Sequence, residues 1–298
     1  TIQIISSPYT ENTFGMASGK NITIIGSGPA NTIIQGNGSN RVFNITTGNV
    51  TFADLTITGG TLASSGAGIF YNVTGGTLTL TNCEIRNCSS TGGNGGGGIA
   101  VEGGDLIMTD CIVRNNSATM RGGGVLFQTA STDATFTNCD FLSNTCSRDS
   151  TFAGGGVYIS PTDSTNTVLF TGCNFTENQA TASGGGGGAV MIVRGVVSFS
   201  NCDFLNNSSL YYGGGILGRH YATGDLITLT VEAGTFQNNS SRHGGGICLI
   251  RYNGGYDASL TVRDSTFTSN TAASGSGRAI NITDCLTGVV QNSKFTEK

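Results

Sequence analysis

The sequence predicts an all-β fold, a right-handed parallel β-helix with three strands per coil and about nine to ten coils. One phrase recurs along the chain, at a step of 28 residues from Cys83 to Cys111 and of 34 residues from Cys139 to Cys173. A period in this range is typical of repeat architectures, in which each unit buries its apolar face only against its neighbours. Apolar residues alternate in short stretches between turn residues, and helical periodicity is absent.

Length and composition favour one elongated domain over residues 1–298, with opening coils of weak repeat at 1–60 and regular repeats at 61–298. Charged residues make up 11% of the chain and the net charge is −4. Without a basic stripe there is no reason to expect a nucleic-acid partner. No apolar run is long enough to span a membrane. Because Thr1 is not an initiator residue, we expect a mature or excised piece of a longer chain.

The opening coils consist of short apolar stretches that begin near Ile2, Ile22, Ile33, Val42 and Phe52. Turns rich in glycine and asparagine separate these stretches, as expected for short strands.

The coil from Gly98 onward shows the regular pattern. Its three strands are predicted at Ile99–Val101, Leu106–Met108 and Cys111–Val113. Longer turns after the first strand of later coils, for instance Ser160–Thr167, place extra loops along one edge of the rod.

Two columns of side chains are predicted inside the coil. Two residues after the start of each phrase stands an apolar residue, and five members are Phe141, Phe175, Phe204, Phe236 and Phe267. Five residues after the start stands an asparagine, at Asn116, Asn144, Asn178, Asn207, Asn239 and Asn270. We expect the rings to stack and the inward amides to bond unpaired backbone groups at the corner.

Small residues shape the corners. An Asn or Asp precedes most phrases, and these residues tolerate a left-handed backbone, so we expect a sharp bend there. Runs such as Gly122–Gly124 precede the first strand, and their repetition indicates a close approach that a Cβ atom would block. A phosphate-binding loop would need a strand-to-helix context that this sequence lacks.

The alternation of Gly-Gly-Gly-Val or Gly-Gly-Gly-Ile with Phe-x-x-Asn resembles the repeats of chlamydial polymorphic membrane proteins, from about Gly66 to Lys298. The segments Asn21–Gly26 and Asn49–Thr51 look like the first coils of the wider pectate-lyase-like β-helix group. The resemblance implies a surface-displayed passenger domain, extracellular or on the cell surface, with adhesion as its role.

The sequence therefore predicts a non-catalytic surface module, an adhesin or passenger-type structural protein, whose partner is a glycan or protein receptor on a host or neighbouring cell. One alternative is a subunit of an extracellular filament that assembles head to tail. Another is a carbohydrate-active, pectinase-like β-helix enzyme. No cofactor and no metal site are predicted.

The enzyme alternative depends on Asp140 and Asp203, which share an outward position with Asn174. Two coils separate the carboxylates by about 9–10 Å, near the spacing of about 6.5–9.5 Å that suits inverting glycosidases. No stacked lysine or arginine completes such a site, so we interpret this position as a solvated face.

Five of the nine cysteines occupy one column, at Cys83, Cys111, Cys139, Cys173 and Cys202. Stacked parallel side chains point the same way, which is poor geometry for a disulfide. Ligands in one column also cannot surround zinc tetrahedrally. We expect a ladder of small buried thiols.

A binding patch is predicted near the C-terminal end, where aromatic residues, arginines and both histidines gather. Its members are Tyr211, Tyr212, Arg219, His220, Tyr221, Arg242, His243, Arg251, Tyr252 and Tyr256. Such residues are enriched at binding hot spots, and aromatic faces suit sugars.

Candidate glycan acceptors follow from Asn-x-Ser/Thr sequons, which matter if the protein is secreted. They are Asn21, Asn44, Asn72, Asn87, Asn115, Asn174, Asn206, Asn207, Asn238, Asn239 and Asn281.

The last coil, which includes Ile280 and Phe295, is expected to be an open edge. Such an edge calls for another coil, a cap or the first coil of another copy near Ile2.

Overall fold

The computed structural model describes residues 1–4, 7–11, 13–16, 19–147, 153–181, 185–219, 226–250, 258–283 and 287–297. These residues wind into a right-handed parallel β-solenoid of about nine turns, and no helix occurs among them. The predicted fold class is confirmed.

Three ladders of parallel strands form the faces of the solenoid. Four strands run on from one face to another: Val50–Thr58, Ile69–Arg86, Ile99–Thr109 and Val125–Thr137. The other strands of the first face are Phe14–Met16, Phe43–Ile45, Val157–Ser160, Val190–Ile192, Ile216–Arg219, Ile247–Ile250 and Ile280–Thr283. Those of the second face are Ile2–Gln3, Ile22–Ile25, Thr167–Thr171, Gly195–Ser200, Ile227–Glu232, Ala258–Arg263 and Thr287–Gln291. Those of the third face are Tyr9–Glu11, Ile33–Gly36, Ile112–Arg114, Asp140–Leu142, Asn174–Thr176, Asp203–Leu205, Thr235–Gln237, Thr266–Thr268 and Lys294–Thr296.

A fourth, short ladder follows the third face and was not predicted. Its two-residue strands are Thr61–Leu62, Ser89–Ser90, Ser117–Ala118, Thr145–Cys146, Gln179–Ala180, Ser208–Ser209, Ser240–Ser241 and Thr271–Ala272. Ala153–Gly154 and Gly186–Gly187 form a further pair. The fourth ladder lies between the third face and the return of the chain to the first face.

The predicted phenylalanine column is confirmed. Phe141, Phe175, Phe204 and Phe236 are fully buried, and successive rings lie 4.5–4.8 Å apart within a few degrees of parallel. A second column on the neighbouring face packs against it edge-on, with Phe199 5.3 Å from Phe204. The stacked and edge-on contacts together form the centre of the core.

The predicted asparagine column is also confirmed, as a continuous amide ladder. The Nδ2 atom of Asn144 donates to Oδ1 of Asn178 at 3.0 Å, and Asn178 donates in the same way to Asn207. Each Nδ2 atom also donates to a carbonyl of the preceding coil, as Asn207 does to Phe175 O at 2.8 Å. The ladder therefore satisfies buried backbone groups at this corner of each coil from Asn116 to Asn270.

The predicted left-handed bend before each phrase is present. Asn138 and Asn201 have φ of 52°, and Gly172 has φ of 63°. Ala233 adopts φ of 51° at the same position. Alanine disfavours this region, so the register of the coils on both sides imposes it.

The glycine runs let the chain fold back over the outer side of the first face. A Cβ atom on Gly96 would lie 2.9 Å from the Cβ of Ala100, and one on Gly244 would lie 2.7 Å from the Cβ of Cys248. Both glycines have positive φ. The close approach expected from the sequence is thus confirmed. It buries a second apolar row on the outer side of the first face, which consists of Ala100, Leu126, Tyr158, Met191, Val193, Leu217 and Cys248.

Candidate functional site

The edge between the fourth ladder and the first face brings together four of the predicted patch residues. Tyr211, Tyr212, Arg242 and His243, here named the Tyr–Arg–His cluster, occupy the same turn in two successive coils. The backbone of Tyr212 pairs with His243 in a parallel bridge, which sets one coil directly above the next. The cluster is therefore positioned by the register of the repeat.

The rings and the guanidinium of the cluster are in mutual contact. The ring centroids of Tyr211 and Tyr212 lie 4.9 Å apart, and those of Tyr212 and His243 lie 5.3 Å apart in a stacked arrangement. The Arg242 guanidinium lies 4.9 Å from the Tyr211 ring centroid, and its Nη1 donates to the Tyr211 hydroxyl at 3.1 Å. This pairing holds an exposed cation above an aromatic face.

His243 is held from the other side by two serines of the following coil. Its Nδ1 atom lies 2.8 Å from the hydroxyl oxygens of both Ser274 and Ser276. The Ser274 hydroxyl also donates to the carbonyl of Arg242 at 2.6 Å. Partial burial, with Arg242 adding to it, lowers the pKa of His243, so neutral imidazole is favoured here.

Arg219 lies beneath the cluster, 5% exposed, with its guanidinium 5.7 Å from the Tyr212 ring centroid. It packs under the ring and does not join the surface. Four other predicted members, His220, Tyr221, Arg251 and Tyr252, lie outside the described residues, as does Tyr256.

A groove of about 640 Å³ runs beside the cluster across the fourth ladder. Its lining is mostly hydroxyl-bearing and small: Ser209, Leu210, Ser240, Ser241, Arg242, Thr271, Ala272, Ala273, Ser274 and Arg278. Arg242 belongs to both the cluster and the groove. The groove can therefore offer hydroxyls and cationic groups to a ligand, and Arg242 connects it to the Tyr211 ring of the cluster.

The serines of this site were missed in the sequence. Ser274 follows His243 by 31 residues, one coil of the repeat, so the period could have indicated their proximity. The fourth ladder, whose residues line the groove, has strands too short for alternation to reveal.

Asp140 and Asp203 stand in one column on the third face, with Asn174 between them in register. The Nδ2 atom of Asn174 donates to Oδ1 of Asp140 at 2.8 Å. The Asn174 amide therefore lies between the two carboxylates of this column.

The column cysteines are buried, as predicted. The hydrogen bond with Cys111 and burial together raise the pKa of Cys139 to about 12. Protonated, inaccessible thiols of this kind are structural. Within the described ranges, no group of three or more His, Cys, Asp or Glu residues could hold a metal ion.

Burial corrects the set of glycan acceptors. Asn207 and Asn239 are fully buried members of the amide ladder, so a glycan on either one is incompatible with the folded corner. Four sequon asparagines stand exposed immediately before the ladder position with positive φ: Asn87, Asn115, Asn206 and Asn238. Asn21, Asn72 and Asn174 are exposed, and Asn44 and Asn281 are partly exposed.

Apolar surface is concentrated at the two ends of the solenoid. A cavity of about 570 Å³ at the first coils is lined by residues that include Ile4, Phe14 and Phe43. In the last coil, Val290 and Phe295 are 44% and 47% exposed. Phe295 still stacks on Phe267, with ring centroids 5.1 Å apart.

Among the described residues, no helix has the length and hydropathy needed to cross a membrane. No curated protein is significantly similar in sequence to this chain.

Two solved structures are similar to the chain. One is the catalytic domain of Agl-KA, at 15% identity and a TM-score of 0.41, with 96% of this chain covered. The chain spans 60% of that domain's length. The other is the A-module of the mannuronan C-5 epimerase AlgE6 of Azotobacter vinelandii, at 13% identity and a TM-score of 0.34, with 92% of this chain and 83% of that one covered.

The sequence of residues 11–298 matches the family described as the right handed beta helix region. With its parallel ladders, internal phenylalanine column and amide ladder, the chain belongs to this right-handed β-helix family.

Proposed function

We propose that this chain is a non-catalytic, extracellular or cell-surface module that attaches to a receptor through the Tyr–Arg–His cluster. The observation that carries the proposal is the contact between an exposed arginine, Arg242, and the ring of Tyr211 on the surface of a rigid ladder. Aromatic rings and arginine are the side chains that dominate binding hot spots. The resemblance to surface-displayed passenger repeats supports the same role.

The rigidity of the scaffold favours binding. Backbone pairing of Tyr212 with both His243 and Gly186 fixes the turn between neighbouring coils. The hydroxyls of Ser274 and Ser276, from the following coil, hold the imidazole of His243. A preorganised surface loses little conformational entropy on association.

The proposal predicts that Tyr211→Ala weakens attachment about tenfold, on the order of 1.4 kcal/mol. The substitution removes the ring face and releases Arg242 from its stacked position. Attachment is measured with fluorescent protein on cells and on immobilised glycans. Tyr211→Phe keeps the ring and should retain most of the affinity.

The matched control is Tyr9→Ala, which removes an exposed tyrosine at the opposite end of the chain. Equal attachment by the wild type and Tyr211→Ala would exclude the cluster as the receptor site.

We also expect no polysaccharide cleavage, because Asn174 occupies the position between Asp140 and Asp203 and donates to one of them. Pectins, alginates and neutral glucans are incubated with the protein, and new reducing ends and unsaturated products are measured. Cleavage that disappears in Asp140→Asn would establish the enzyme alternative in place of the adhesive one.

A further inference from the structure

The charge of the groove beside the Tyr–Arg–His cluster is opposite to that of the whole chain. The protein carries a net charge of −4, yet the charged residues that line the groove are Arg242 and Arg278. None of the described residues in its lining is acidic. A site with this local sign attracts an anionic group and rejects a cationic one.

The floor of the groove adds hydroxyl groups at regular spacing. Ser240 and Thr271 are paired in register in the fourth ladder, so their outward side chains are about 4.7–4.9 Å apart. Hydroxyl groups both donate and accept hydrogen bonds, as sugar hydroxyls do. Arg242 connects this floor to the Tyr211 ring.

The groove is large enough to hold a sugar. Its volume of about 640 Å³ lies within the range of roughly 300–1,000 Å³ that holds a small organic ligand. The cluster is likewise compact, since its ring centroids lie within 4.9–5.7 Å of one another. The groove and the cluster together can therefore accommodate a sugar unit at the end of a glycan.

We propose that the ligand of this site is an acidic sugar at the end of a receptor glycan. Its carboxylate or sulfate group binds the Arg242 guanidinium, and its ring packs on Tyr211 and reaches the hydroxyls of Ser240 and Thr271. This inference rests on the proposed attachment through the same cluster and names the chemistry of the ligand.

Arginine is suited to this role because its planar donors match the oxygens of a carboxylate or sulfate. In the free protein, Nη1 of Arg242 donates to the Tyr211 hydroxyl, so the guanidinium is already oriented over the ring. The charge contribution should weaken as salt rises, because the site is exposed and its charges are screened.

The test uses matched oligosaccharides that share one backbone and differ only in a terminal carboxylate, sulfate or neutral sugar. Their affinities for the wild-type chain are measured by titration calorimetry at two salt concentrations. We expect the acidic ends to bind at least about tenfold more tightly than the neutral end at low salt. The carboxylate and sulfate arms identify which acid the site prefers.

Arg242→Gln should remove this preference, so that the acidic ends bind no more tightly than the neutral end. Arg242→Lys should retain part of it, because the charge stays while the planar donors are lost. The control is Arg263→Gln, an exposed arginine on the second face, which should bind as the wild type does. Thermal melting verifies that each variant is folded.

If acidic and neutral ends bound with equal affinity, and Tyr211→Ala still weakened this binding, the inference of an acidic ligand would be wrong. The proposed attachment through the cluster would remain. Attachment to cells without affinity for any of the sugars would overturn it in favour of a protein receptor. If the wild-type chain showed neither cell attachment nor sugar binding, both the inference and the proposed function would be contradicted.

Discussion

Phe204→Ala should lower the free energy of unfolding by about 3–5 kcal/mol, as truncations of buried aromatic residues do. The ring is fully buried and stacks between Phe175 at 4.8 Å and Phe236 at 4.5 Å. Its removal opens a cavity in the middle of the column, which rigid rungs above and below cannot close. Urea and thermal unfolding followed by circular dichroism measure the loss.

The control is Leu210→Ala, since Leu210 is 58% exposed and its truncation leaves no cavity. Phe204→Leu should give an intermediate loss, because much of the volume remains. If Phe204→Ala and Leu210→Ala unfolded at the same urea concentration, the column would not be the energetic core.

Asn207→Asp should destabilise the protein by about 3 kcal/mol or more, although it exchanges only an amide nitrogen for an oxygen. The Nδ2 atom of Asn207 donates to Phe175 O and to Asn239 Oδ1. A carboxylate would set an oxygen against both of these acceptors and bury a charge. Chemical unfolding at pH 7 measures the loss.

The matched control is Asn206→Asp, the same change at the exposed neighbour. Asn206 accepts from Nδ2 of Asn238 at 3.2 Å, and a carboxylate can accept in the same way. Its stability should stay within about 0.5 kcal/mol of the wild type, as for most surface substitutions. Equal losses in the two variants would contradict the structural role of the ladder.

The sign of the pH dependence gives a further check on Asn207→Asp. Burial raises the folded-state pKa of the introduced carboxyl above its unfolded value of about 3.9. The folded state then binds more protons than the unfolded state at intermediate pH, so the variant loses stability as pH rises from about 4. Relative to the wild type, the variant should be least affected below pH 4. A loss independent of pH would mean that the carboxyl is not buried.

Side-chain columns could be predicted because inward positions repeat with the coil. Phe204 and Asn207 stand at fixed distances from the start of their phrase, and the structure buries both. The bend at Ala233 could not be predicted from its own preference, since only neighbouring coils impose φ of 51° there. The apolar row at Leu126 and Met191 was also missed, because alternation marks these positions as outward while the glycine turns cover them.

The candidate site could be predicted only in part. Tyr212 and His243 carry the residue types of a binding patch, and the period brings them into contact. The groove depends on the fourth ladder, whose strand Ser240–Ser241 is too short to show a pattern. The burial of Arg219 beneath Tyr212 could not be predicted either, because an arginine in a sequence normally indicates an exposed side chain.

The amide ladder has a direction along the solenoid. At its first member, Oδ1 of Asn116 accepts from the backbone of Cys88, and at its last, Nδ2 of Asn270 donates to the carboxylate of Glu297. The amide dipoles therefore add head to tail, with a partial positive end that faces an anion, as in an α-helix. Hydrogen bonds in such a chain polarise one another. Each coil with an asparagine at this position thus strengthens the bonds of its neighbours, and a coil without one would divide the molecule into two weaker dipoles.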